Sequence, residues 1–78
     1  MSRLREKREL MQRIGIARGE LERLRLSLEE AYAAFNSTSD PEILEACILE
    51  ISALHSRYGA ALKNIKSMDG DKVKWQSQ

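Results

Sequence analysis

From Leu10 onward the apolar residues step by four and three: Leu10, Ile14, Ala17, Leu21, Leu24, Leu28, Ala31 and Phe35. A 3.5-residue repeat held this long is the seam of a helix, since a strand would alternate by two. The pattern stops at Asn36-Ser37-Thr38-Ser39-Asp40-Pro41. There Asp40 suits an N-cap and Pro41 the first helical position, where a missing amide hydrogen costs nothing. Ser39 with Glu42 offers a capping box as the alternative. A second seam follows: Leu44, Ile48, Ile51, His55, Tyr58, Leu62 and Ile65. Asp69-Gly70 then supplies a stop. The expectation is an all-α fold, an antiparallel two-helix hairpin of coiled-coil type over residues 1–68. Helix 1 covers about 3–36, the turn 37–40 and helix 2 about 41–67, with 69–78 a flexible tail.

A short connection makes the helices antiparallel neighbours. If Phe35 faces Leu44 beside the turn, residues whose numbers total 79 share a layer. The layers are then Ala31/Ile48, Leu28/Ile51, Leu24/His55, Leu21/Tyr58, Ala17/Leu62 and Ile14/Ile65, all apolar but one. In this register the first helix overhangs by a basic end carrying Arg3, Arg5, Lys7 and Arg8.

Helix 2 has more apolar surface than one seam needs. Cys47, Leu54, Ala61 and Met68 form a second row beside it, and Ala46, Ala53 and Ala60 a small-residue row behind. A face this wide touches more than one neighbour. The expectation is a homodimer forming a four-helix bundle, with another protein on the same face as the alternative. Gly15 and Gly19 point away from the seam, and Gly19 shares its row with Leu26 and Ala33. Each glycine costs a helix about 1 kcal/mol relative to alanine. Three readings stay open: close approach of another backbone, a bend in a long exposed helix, or approach of a ligand.

Charge is segregated rather than biased. The net charge is +1, but residues 3–25 hold eight Lys/Arg against four Glu, while residues 26–56 hold six acidic residues and no Lys or Arg. Arg57, Lys63 and Lys66 then return the sign. The basic arm Arg3, Arg5, Lys7 and Arg8 could touch phosphates, but no interleaved aromatics support base stacking. No apolar run is long enough to span a bilayer, and the basic N-terminus has no apolar stretch behind it to read as a secretory signal. A cytoplasmic location is expected.

Candidate chemistry is sparse. Cys47 is the sole cysteine and reads as a small buried hydrophobe, with an intermolecular disulfide or a reactive thiol as the alternative. His55 is the sole histidine, with Ser52 one turn before it where a di-metal bundle would carry Glu. The carboxylate pairs Glu29-Glu30 and Glu42/Glu45 read as a solvated face. No phosphate loop, nucleophile elbow or zinc spacing is present. No catalytic residue, metal or cofactor is expected. Trp75, the only tryptophan, is an anchor for a partner, a residue folded back on the bundle, or part of a frayed end.

The stretch from Phe35 through Ser39-Asp40-Pro41, Ile43, Ile48, Arg57-Tyr58, Leu62 and Lys63 resembles the YaaL-type family of short bacterial proteins. The resemblance covers about residues 14–68 and rests on cap and packing positions. It implies an α-hairpin in the cytoplasm of a bacterium, and no activity. Sporulation phosphatases of the Spo-zero-E type are also short hairpins, with a Ser-x-x-x-Asp motif on the second helix. Ile51 and His55 stand in those two places here, so both functional residues are missing. The reading is a non-enzymatic adaptor or regulator working through helix–helix contacts. The alternatives are a nucleic-acid accessory protein using the basic arm and a phosphatase-like sporulation regulator.

Overall fold

The structure, a computed structural model, describes the backbone of residues 2–76 and the side chains of residues 3–70. Helix α1 runs Ser2–Ser37 and helix α2 runs Pro41–Gln76, 36 residues each. They pack against one another as an antiparallel hairpin with extents of 59 × 14 × 14 Å. Among the described residues there is no strand.

The turn is built by Asp40. Its Oδ1 accepts a hydrogen bond from the Glu42 amide at 2.9 Å, and its carbonyl accepts the Leu44 amide at 2.9 Å. This is N-cap geometry with Pro41 as the first helical residue, so the Ser39/Glu42 box is not the cap. The Asp40 amide in turn donates to Thr38 Oγ1 at 3.2 Å.

The α1 seam is the expected one. Leu10, Ile14, Ala17, Leu28 and Ala31 are buried, and Leu21, Leu24 and Phe35 are half-buried. The α2 seam differs. Its buried residues are Cys47, Leu54 and Ile65, with Leu44, Ile51, Tyr58, Ala61, Leu62, Met68 and Asp69 half-buried. The steps run three then four from Leu44, where the expected seam ran four then three. Leu44, Ile51, Tyr58 and Ile65 are common to both; Ile48 and His55 give way to Cys47 and Leu54, and Leu62 shares its level of burial with Ala61. Leu54 lies in a core cluster with Leu28 and Ala31, against which Leu24, Ile51 and Tyr58 pack. Taken in order along two antiparallel helices, these six residues pair as Leu24/Tyr58, Leu28/Leu54 and Ala31/Ile51, a register whose numbers total 82 rather than 79.

The physical reason is the composition of the two competing rows. The row Cys47, Leu54, Ala61, Met68 is wholly apolar, whereas Ile48, His55, Leu62, Asp69 would bury an imidazole and a carboxylate. Burying such groups without partners costs several kcal/mol, roughly, and this decides which side of the Leu44–Ile51–Tyr58 column turns inward.

Two further expectations are corrected. No stop forms at Asp69-Gly70: no glycine has a positive φ, and α2 continues to Gln76. Residues 69–76 therefore extend the helix instead of forming a separate tail. Because α1 reaches back to Ser2, the longer α2 has a helix to lie along, and Met68 and Asp69 are half-buried there. The overhang of α1 is correspondingly shorter than expected: at this register Gln76 comes level with Glu6, and of the four basic residues Arg3 and Arg5 lie beyond it.

Candidate interaction surface

With the seam assigned, the flanking rows follow by spacing. On one side α1 presents Leu4, Met11, Arg18, Arg25 and Tyr32, seven residues apart, and α2 presents Ile48, His55, Leu62 and Asp69. Two cross-helix contacts show that these rows face each other. The Tyr32 hydroxyl and His55 Nε2 share a hydrogen bond at 2.8 Å, with their rings edge-to-face at 6.1 Å and 73°. Arg18 Nη2 lies 3.8 Å from Asp69 Oδ1. In both pairs the residue numbers total 87, as one register requires.

Beside Tyr32 the two helices leave an open groove of about 420 Å³, lined by Tyr32, Phe35, Asn36, Ile48, Ile51 and Ser52. Its lining is mostly apolar. Ile48 is 54% exposed and Tyr32 43% exposed, although both are large hydrophobic side chains. At the other end of the same face, Leu4 and Met11 are exposed with Lys7, Arg8 and Gln12 around them. Between these ends the charges are satisfied within the chain: Arg18 pairs with Asp69, and Arg25 bridges Glu22 and Glu29. The Arg25 hydrogen bond holds the Glu22 carboxyl below its ordinary range, and the same contact raises Arg25.

The expected interaction residues fall into three groups. Cys47 and Leu54 are buried in the intramolecular seam and Ala61 and Met68 half-buried in it, so they do not form an outward row. Gly15 is exposed with nothing within 4 Å of the place a Cβ would take, and Gly19 meets only its own helix's Arg23 Nη1, at 4.0 Å. Leu26 is exposed, as expected of its outward row. The side chain of Trp75 lies outside the described residues.

Arg3, Arg5, Lys7 and Arg8 are all exposed on the first turns of α1. His55 is exposed beside Tyr32, not at a core layer opposite Leu24. The sequence reading missed Tyr32, Ile48 and Met11 as surface features. A signal was present: extending the expected second seam by one step beyond Ile65 reaches Asp69, which a core row would exclude.

The core is thin. No described side chain is fully buried, and the chain exposes 6098 Å². A compact monomer of 8.9 kDa would expose about 4,800 Å² by the scaling of area with mass. The excess of about 1,300 Å² exceeds the roughly 800 Å² per partner that a standard protein interface covers.

Among the described residues no group of three or more His, Cys, Asp or Glu side chains gathers to hold a metal ion. Among the described residues no helix is long and apolar enough to cross a membrane. Comparison with family models, with curated proteins and with solved structures gives no match.

Proposed function

We propose that this protein is a non-enzymatic helical adaptor or regulator that acts through helix–helix contacts, and that it self-associates into a four-helix bundle. One observation carries the reading: large apolar side chains, Tyr32 and Ile48 above all, stand exposed along a groove between two helices whose own core is thin. A hairpin with this much surface gains stability by covering it, because apolar burial stabilises by about 25 cal/mol per Å². The likeness to YaaL-type proteins fits, since the shared positions Phe35 and Ser39-Asp40-Pro41 are cap and packing residues.

The test is mass in solution across a dilution series, by sedimentation or light scattering, for the wild type and Ile48→Glu. The expected result is a wild-type dimer and a monomeric variant of unchanged helicity. A variant that dimerises as tightly as the wild type removes this face from the reading. Leu54→Glu would not serve, because Leu54 is in the hairpin's own core and its loss tests folding instead.

A further inference from the structure

The register turns the charge segregation of the chain into a property of the folded rod. Residues 26 and 56 lie across from one another at the 82 register, so the segment 26–56 is the turn end of the hairpin. That segment carries six of the twelve acidic residues and none of the thirteen basic ones, a formal charge of −6. The rest of the chain holds the other six acids and all thirteen bases, a formal +7. The molecule is thus a rod 59 Å long with an acidic turn end and a basic remainder.

The same face carries exposed apolar residues at both ends. At the turn end Tyr32 and Ile48 flank the groove, with Glu29 and Glu45 exposed on the adjoining rows. At the open end Leu4 and Met11 lie among Lys7 and Arg8. Two rods placed side by side in parallel would set acid against acid and base against base. Placed antiparallel, each acidic end meets a basic one and each apolar patch meets an apolar patch. The central charges, already paired as Arg18–Asp69 and Arg25–Glu22, add little repulsion. A two-fold axis across the rod makes this contact closed and self-complementary, so it stops at two copies.

We infer that a second copy of the chain covers this face in antiparallel orientation, the acidic turn end of each copy lying over the basic open end of the other. The inference rests on the self-association proposed above and adds the face and the direction.

Spin-label distances test it in a Cys47→Ala background, with Cys47→Val in reserve should alanine lower the helicity. Ser39→Cys marks the turn and Glu6→Cys the open end; both positions are exposed. The expected result is a turn-to-turn distance on the order of 50 Å, set by 36 residues at about 1.5 Å each. Mixed samples should give a turn-to-open-end distance under about 25 Å, roughly two helix diameters. A turn-to-turn distance under about 25 Å overturns the antiparallel arrangement and leaves self-association standing. A chain that is monomeric at every concentration overturns both.

Discussion

Tyr32 on α1 and His55 on α2 share a hydrogen bond of 2.8 Å although both side chains are exposed. They stand one step outside the apolar seam, and their pairing fixes which flank of α2 faces which flank of α1. An exposed hydrogen bond of this kind contributes on the order of 0.5–1 kcal/mol. Tyr32→Phe is expected to lose about that much in urea denaturation. In a double-mutant cycle with His55→Ala the two losses should fall short of additive; strict additivity would mean that the pair does not interact.

Leu54 is 7% exposed within the core cluster, whereas Ile48 is 54% exposed. Leu54→Ala should therefore cost about 2–5 kcal/mol, enough to unfold much of so small a chain. Ile48→Ala, measured where the chain is monomeric, should cost under about 1 kcal/mol. Thermal melts of the two variants decide between the registers. A larger loss at Ile48 would restore the register in which it faces Ala31.

Gly70 lies inside α2, has a negative φ, and leaves open space where a Cβ would sit. Gly70→Ala should stabilise by about 0.5–1 kcal/mol, read as a raised Tm. Were Gly70 the left-handed cap of a helix ending there, the same change would lower Tm. Gly15→Ala should also raise Tm, since nothing lies within 4 Å. If it weakens self-association as well, a partner's backbone approaches Gly15.

Asp40 caps α2 through the Glu42 amide. Asp40→Ala removes that acceptor and should cost about 1 kcal/mol. Asp40→Asn or Asp40→Ser should recover most of it, because either side chain can accept the same bond. An Asn variant as weak as the alanine one would show that the cap bond is not what stabilises this turn.

Arg25 lowers the Glu22 carboxyl through a hydrogen bond on the surface of α1. A depressed folded-state value means that the folded state favours the ionised carboxylate. Its contribution is fully present above the ordinary carboxylate range and is lost as pH falls below that range through the lowered folded-state value. Arg25→Ala should lower Tm slightly at neutral pH and not at all at about pH 2. Molar salt should shrink the neutral-pH difference, since exposed pairs are screened. A difference that persists in acid would assign the effect to helix propensity or packing.

Helix formation, its chain direction and its turn were legible in the residues alone. The α1 stripe is unambiguous because only one row, Leu10 to Phe35, is apolar throughout. Asp40-Pro41 is legible because a cap is local chemistry, decided within a few residues. The hairpin itself follows from two stripes joined by so short a turn.

The helix seam of α2 and its length were not legible in the same way. Ile48 and Leu54 belong to rows on either side of Leu44, Ile51 and Tyr58, and the spacing alone fits both; only His55 and Asp69 in the Ile48 row speak against it. The choice is made where the two helices meet, because one row would bury His55 and Asp69 and the other buries nothing polar. Gly70 reads as a stop in isolation, yet α1 extends far enough to carry α2 past it. The amino-acid sequence by itself determined two amphipathic helices, their cap and the charge carried by each segment. The tertiary structure alone decided which apolar row became core and which stayed at the surface, because burial is a property of the pair of helices and not of either one.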